Sequence, residues 1–335
     1  MMTSDGDTRS KHILVTGGTG FFGRSLLRHW LNEKRPPADP NMNVCLLSRN
    51  PGKFLEHYPE FGNIPWLSFH QGDILHPETY PQAKKFTHLL HAATDSTLGP
   101  QLSPLDRYLQ IVDGTRHMLE YAVANNIPRF LLTSSGGVYG PQPQHMEQIP
   151  ESYNGMPDPL NPQHAYSVAK RAAEHLCALY KDRHGIQPII ARCFAFVGCD
   201  LPLNVHFAIG NFIRDAMYSN EIVVKGDGTA IRSYMDQRDL AMWLLTLLHD
   251  GRPGEAYNVG SDQALSIAEL AHLVRDTISP GKAVLIAGKA DQNNFRNRYV
   301  PDISKARSEL GLAIKIGLGD AIRDTARHYG TAVNI

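Results

Sequence analysis

The sequence is poor in several features that mark whole classes of protein. Among its 335 residues Lys plus Arg and Asp plus Glu each number 33, so the formal charge is zero. There is no basic excess of the kind that follows a nucleic-acid backbone, and no nucleic-acid partner is expected. No apolar run approaches the ~18 residues of a membrane-spanning helix. Residues 1–11, MMTSDGDTRSK, are polar and carry no apolar segment of the signal-peptide kind, which points to a flexible tail on a cytoplasmic protein. The four cysteines, Cys45, Cys177, Cys193 and Cys199, show no C-x-x-C spacing and read as reduced, mostly buried thiols. Histidine is plentiful at 16, yet no H-x-x-x-H or His/Cys cluster occurs. His88 and His91 come nearest, and no metal site is expected from them. No internal repeat is evident.

What is present is 42% hydrophobic and 20% charged residues, the balance of a globular chain. Short apolar runs alternate with helical patterns. HILVT (12–16), NVCLLS (43–48), WLSFHQGDI (66–74), THLLHAA (87–93), RFLLTSS (129–135) and QPIIARCFAFVG (187–198) read as strands. Helices fit between them, notably over 104–126 and 162–184, and the loop KRPPADPN (34–41) is proline-rich. Continuous apolar strands alternating with helices predict an α/β fold with a Rossmann-like, doubly wound parallel sheet. After Gly198 the pattern loosens, then resumes with a helix over 238–251 and a strand over 255–261. The expected domains are a nucleotide domain of 12–198 plus about 229–261, and a smaller substrate-binding lobe of 199–228 plus 262–335. The last segment reads as helices and loops.

The stretch VTGGTGFFGRSLL follows the first strand and opens the first helix. Gly17, Gly20 and Gly23 allow a tight turn and close backbone approach, and the helix beginning at Phe21 and Phe22 offers free N–H groups to a pyrophosphate. An ordinary glycine-rich turn is the alternative, but the placement between strand and helix favours dinucleotide binding. The second strand ends at Ser48 and Arg49 with no acid. An acid there would bind an adenosine ribose; a guanidinium suits a 2′-phosphate. NADP(H) is therefore favoured, NAD(H) is the alternative, and Arg49 against adenine or solvent is the bland reading. Asp73, followed by Ile74, is placed to meet the adenine amino group.

Further along, TSSGGVYG (133–140) closes the fifth strand, and NPQHAYSVAKRAAEHL opens a helix with Asn161 as cap and Pro162 in the first turn. Tyr166 and Lys170 are i and i+4 on one helix face. An ammonium beside a phenol lowers a pKa that is ~10 when free, which would make Tyr166 a proton shuttle.

TGGTGFFG, GDI, HAAT (91–94), TSSGGVYG, YSVAK, GDGTAIRSYMDQRDLA (226–241), YNVGS (257–261) and DISKARSELGL (302–312) occur in one order along nearly the whole chain. The sequence so resembles an extended short-chain dehydrogenase/reductase of the nucleotide-sugar epimerase/dehydratase family. The resemblance implies a catalytic hydroxyl at Ser135, Tyr166 as acid/base and Lys170 as its partner. It implies Ala92, Ala93 and Thr94 at the cofactor. It also implies an NDP-sugar against the C-terminal lobe, with Ser134 and Gly136 beside it and Arg232 and Arg298 on its diphosphate. Helices 104–126 and 162–184 resemble those of the family's four-helix homodimer interface.

Relatives that eliminate water carry an Asp-Glu pair after the catalytic Thr; here those positions are Gly136 and Gly137, which cannot move a proton. The two glycines are expected to leave room for a keto sugar to turn over, favouring an NDP-hexose epimerase. The alternatives are a 4-keto-sugar reductase, a dehydratase drawing on an acid such as Glu151, or a non-catalytic dinucleotide-binding regulator. Ala195, in place of a frequent asparagine, and Asp236, in place of a frequent histidine, leave the sugar open.

Overall fold

The computed structural model describes residues 11–32, 42–82, 85–94, 102–289 and 297–332. The tail up to residue 10 and the proline-rich loop 34–41 lie outside them. Seven strands form one parallel sheet: β1 (His12–Thr16), β2 (Asn43–Ser48), β3 (Leu67–Gln71), β4 (His88–His91), β5 (Arg129–Ser135), β6 (Gln187–Cys193) and β11 (Ala256–Val259). Their order is β11-β6-β5-β4-β1-β2-β3, with every neighbouring pair parallel. The sequence pattern follows from burial on both faces. Ile13 and Val15 enter one core with Leu26, Leu27 and Trp30 of α1 (Phe21–Asn32) and Trp243 and Leu244 of α6 (Gln237–Asp250). Leu14, between them, points into the opposite core, with Met118 and Leu119 of α3 (Pro104–Ala124) and Ala169, Ala173 and Cys177 of α4 (Ala165–His184). Alternate residues of a strand face opposite sides, so a strand covered on both must be apolar throughout. The short helix α2 (Pro51–His57) follows β2, capped by Asn50, whose Oδ1 accepts the Lys53 N–H at 3.0 Å.

Two predicted strands are shorter than their apolar runs. The run 66–74 pairs only as far as Gln71, because Asp73 turns the chain, its carbonyl accepting the His76 N–H. The run 187–198 breaks after Cys193. Its remainder, β7 (Phe196–Val197), leaves the main sheet and pairs with β10 (Met235–Asp236).

The C-terminal elements contain strands that the sequence reading left as helix and loop. β8 (Glu221–Val224) pairs with β13 (Ala283–Ile286), and β9 (Ile231–Arg232) lies between β12 (Leu265–Ser266) and β14 (Arg298–Tyr299). Helices α5 (Ala208–Tyr218), α7 (Ile267–Ile278) and α9 (Leu318–Ala332) share a third core with Val197, Phe212, Ile213, Leu270, Val274 and Ile322. The helix α8 (Ser304–Leu310) returns toward the main sheet, where Ala306 joins the α1/α6 core. A charged joint ties the first helix to the segment after β7: Asp200, 1% exposed, pairs with Arg28 at 2.8 Å and Arg24 at 3.5 Å. Among the described residues no helix is long and apolar enough to cross a membrane, and no group of three metal-ligating side chains occurs.

Candidate active site

The carboxyl ends of β1, β2, β4 and β5 and the first turns of α1 and α4 converge on one edge of the sheet. Gly17 stands at φ +71° after β1, and a Cβ on it would lie 2.5 Å from the Ala92 carbonyl, so only glycine fits. At Gly23 a Cβ would meet the Gly18 backbone at 2.1 Å. Gly20 is different. A Cβ there would meet only the Gly17 carbonyl, at 3.4 Å. The protein itself does not require glycine at that position, whereas a pyrophosphate lying on the N-terminus of α1 would. The loop therefore fits a dinucleotide. The Ala92 N–H donates to the Thr16 carbonyl at 3.1 Å and that of Ala93 to Thr16 Oγ1 at 3.3 Å, fixing the end of β4 under the loop. Phe21 and Phe22 turn onto Phe196. Ser48 ends β2 and Arg49 is exposed beyond it. Asp73 Oδ1 accepts the Leu75 N–H at 3.0 Å, and Ile74 lies against Gly114 of α3.

His91 belongs to the core rather than to this edge. It is 2% exposed and within 2.7 Å of Thr16 Oγ1, and burial pushes its imidazole down to about 3. It stays neutral and links β1 to β4. All four cysteines are free thiols, three of them buried.

Ser134 and Ser135 face opposite sides of β5. Ser134 donates to Glu174 Oε1 at 2.5 Å, and Glu174 pairs with Arg192 at 2.8 Å. Its hydroxyl is thus committed to that buried network, not to the substrate side. Ser135 faces Tyr166. Asn161 caps the predicted helix start through Gln163 at 3.0 Å, but the first turn is 3₁₀ and the α-helix begins at Ala165. Tyr166 and Lys170 do share one face, with Nζ 5.9 Å from the phenol ring centroid. Lys170 donates to Thr94 Oγ1 at 2.7 Å and to the Thr133 carbonyl at 2.9 Å, which leaves one N–H without a partner among the described residues. Burial lowers its pKa to about 8. Burial also pushes Tyr166 up to about 12, against the opposing hydrogen bond with Ser135. The lowering expected from Lys170 is not seen: burial dominates, opposed only by Ser135 and Arg107.

The space expected beside the two glycines is filled. A Cβ on Gly136 would lie 2.6 Å from Tyr299 Oη and 2.7 Å from Phe194 Cζ, and one on Gly137 would lie 2.6 Å from Ser167 Oγ. Tyr299 Oη donates to the carbonyl of Cys193, the residue paired with Ser135 across the sheet, at 3.4 Å. The sequence reading missed Tyr299; its signal was the residue beside Arg298 in RYVPD. Glu151 is engaged elsewhere, its carboxylate accepting the Asn258 N–H at 2.8 Å. Asp236 caps α6 and pairs with Arg238 at 2.8 Å.

Arg232 and Arg298 lie on neighbouring strands. Arg232 donates to the carbonyls of Ile231 and Asn297, both at 2.8 Å, and has no carboxylate partner among the described residues. Arg298 donates to the Glu147 carbonyl at 3.3 Å. Next to β9 a cavity of about 670 Å³ opens between α5 and β8, lined by His206, Asn211, Phe212, Lys225, Asp227 and Ala230. Arg107, in the first turn of α3, acts on both Tyr166 and His206, and its Nε is buried without a partner among the described residues. Neither the cavity nor Arg107 was legible in the sequence.

The doubly wound sheet and the glycine loop at its carboxyl edge define an extended short-chain dehydrogenase/reductase. Residues 13–260 match the model of the NAD dependent epimerase/dehydratase family, and the chain belongs to that family. UDP-glucuronic acid decarboxylase 6 of Arabidopsis thaliana is 30% identical over 311 residues, covering 92% of this chain and 86% of that protein. UDP-glucuronic acid decarboxylase 1 of Xenopus tropicalis is 26% identical over 319 residues, covering 95% and 72%. Among solved structures, dTDP-glucose 4,6-dehydratase of Streptomyces venezuelae with NAD and TYD bound superposes with a TM-score of 0.80 at 24% identity, covering 96% of this chain and 98% of that one. UDP-glucose 4-epimerase of Thermotoga maritima with UDP-glucose gives 0.80 at 19% identity, covering 96% and 99%. These two establish likeness of fold.

Proposed function

We propose that the chain is an NAD(P)-dependent enzyme that oxidises a carbon, C4 by family resemblance, of a nucleotide-linked hexose and returns the hydride to the other face. It is then an NDP-hexose epimerase. One observation carries this reading: Tyr166 and Lys170 share a helix face at the carboxyl end of β5, with Nζ 5.9 Å from the phenol ring centroid, and the two residues that follow Ser135 are glycines, which bring no acid. The site has a group to take and return the hydroxyl proton, and no acid pair for eliminating water.

The dinucleotide, when bound, supplies the hydride acceptor and, in oxidised form, a positive charge that favours the Tyr166 phenolate. Tyr166 then takes the sugar hydroxyl proton and returns it. Ser135 bonds the same hydroxyl, and the free N–H of Lys170 is available to the nicotinamide ribose. The guanidinium of Arg232, which has no carboxylate partner among the described residues, suits the diphosphate, and the adjoining cavity suits the nucleotide's base. Arg49 supports NADP(H) over NAD(H). The C-terminal elements with this cavity form the substrate lobe. A homodimer through α3 and α4 is part of the reading, supported by Leu105, Leu109 and Leu179, which are 65%, 45% and 50% exposed on those helices. A monomer by light scattering would count against it.

A second reading rests on the decarboxylase relatives, which align over more than nine-tenths of the chain. Oxidising C4 of a hexuronate creates a β-keto acid that sheds carbon dioxide. A panel of NDP-hexoses, NDP-hexuronates and 4-keto derivatives, followed by mass spectrometry, separates the outcomes. Unchanged mass with a new diastereomer supports the epimerase. Loss of carbon dioxide supports decarboxylation, gain of two hydrogens a 4-keto reductase, and loss of water by this enzyme alone a dehydratase.

A further inference from the structure

Helix spacing brings Lys170 to the face that carries Tyr166, but it fixes only the start of the side chain. A lysine holds its charge on a flexible four-carbon stem, so the place of the ammonium is decided by what accepts its N–H groups. Two acceptors do this. Nζ donates to the Thr133 carbonyl near the end of β5 at 2.9 Å, and to Thr94 Oγ1, three residues beyond β4, at 2.7 Å. Glu174, one turn further along α4, does not compete, because its carboxylate is held by Arg192 and by the Ser134 hydroxyl. Among the described residues Thr94 is thus the one side chain that accepts from Lys170. Thr94 is itself built into the frame. Just before it, the Ala92 and Ala93 N–H groups donate to the carbonyl and the hydroxyl of Thr16 on β1. The sheet grows outward from β1 in both directions, through β2 and β3 on one side and β4, β5 and β6 on the other. The switch point, where such sheets take their ligands, therefore lies between β1 and β4, and Thr94 borders it.

We propose that Thr94 is a positioning residue of this site, whose hydroxyl, with the Thr133 carbonyl, holds the Lys170 ammonium in one place and gives its third N–H a single direction at the switch point. The three N–H bonds are tetrahedral about one nitrogen, so fixing two fixes the third. Without the hydroxyl the ammonium turns about its one remaining bond and loses an acceptor that favours its charged form. The titratable groups around Nζ are Tyr166 and Glu174 on its own helix, His91 on β4 and Cys193 on β6. Burial keeps His91 and Cys193 neutral, and Glu174 is already paired. No charged group stands ready to replace Thr94.

The inference rests on Lys170 as the partner of Tyr166 in the proposed function, and its first readout needs no ligand. Lysine isotopically labelled at Cε is incorporated into the full chain, and the Lys170 resonance is identified by its loss in Lys170→Met. Burial puts the wild-type titration midpoint at about 8. Thr94→Val, which keeps the shape and removes the acceptor, is expected to lower that midpoint by about one pH unit, the scale of a hydrogen bond to a charged group. Thr94→Ala is expected to lower it likewise, and Thr94→Ser to leave it in place. An unmoved midpoint in the valine and alanine variants, or the same fall in Thr94→Ser, overturns the proposal. Fluorescence titration with NADPH and NADH is expected to show binding weakened roughly tenfold in Thr94→Val and restored in Thr94→Ser; unchanged affinity in Thr94→Val also overturns it. If the midpoint and the affinity move as stated and no NDP-sugar turns over, the functional reading fails and the role of Thr94 stands.

Discussion

At the scale of single residues, the site is a competition between burial and hydrogen bonding. Burial pushes Tyr166 up to about 12, so its phenol is neutral at pH 7. Tyr166→Phe is expected to lower kcat by roughly 10²–10⁴-fold, the usual contribution of a positioned acid/base, with dinucleotide affinity retained in a fluorescence titration. Gly17→Ala is expected to destabilise by about 1–3 kcal/mol from backbone strain alone, seen as a lowered denaturant midpoint, because its φ of +71° strains any residue that carries a side chain. Arg49→Ala is expected to weaken NADP(H) relative to NAD(H) by roughly tenfold, the loss of a charge-assisted bond, and equal weakening of both would remove the case for a 2′-phosphate contact. What the sequence showed at this scale was local. Gly17, Gly20 and Gly23 share one loop, and Tyr166 and Lys170 share one helix face. Tyr299 was not legible, because its approach to Gly136 depends on how β14 is carried back to the sheet edge, and no spacing encodes that.

At the scale of elements, legibility tracked burial. Strands covered on both faces announce themselves as unbroken apolar runs, as in Ile13–Leu14–Val15. The pieces β9, β12 and β14 hold two residues each, too few to show any period. The break between β6 and β7 was hidden for a related reason: Cys193, Phe194, Ala195 and Phe196 run through it as one apolar stretch, so composition did not change where pairing did. The charged joint was equally silent, since Asp200 and Arg28 are far apart in the chain. Removing the carboxylate would leave two guanidinium groups facing a buried gap. Asp200→Ala is expected to lower stability by about 3 kcal/mol, measured by denaturant unfolding, while Asp227→Ala, at an exposed loop, is expected to change it little.

For the whole molecule, the buried His91 and the half-buried His249 govern the response to acid. Burial holds both His91 and His249 near 3, well under the free value of 6.5. Between those values the unfolded chain binds protons that the folded chain refuses, so stability rises with pH and falls away as pH drops below about 6.5. Each group contributes a slope of up to about 1.4 kcal/mol per pH unit. Thermal melts in mildly acidic buffer are expected to fall steeply, and His249→Gln is expected to flatten that fall. The strand order carries a different consequence, for synthesis. The partner of β6 on its outer side is β11, which ends at Val259. Until that residue leaves the ribosome, β6 presents a bare row of N–H and C=O groups on an apolar strand, an invitation to another nascent chain. The long return is also a slow contact to form, so the growing polypeptide spends its most adhesive interval with six of the seven strands of its sheet laid down and its edge uncovered.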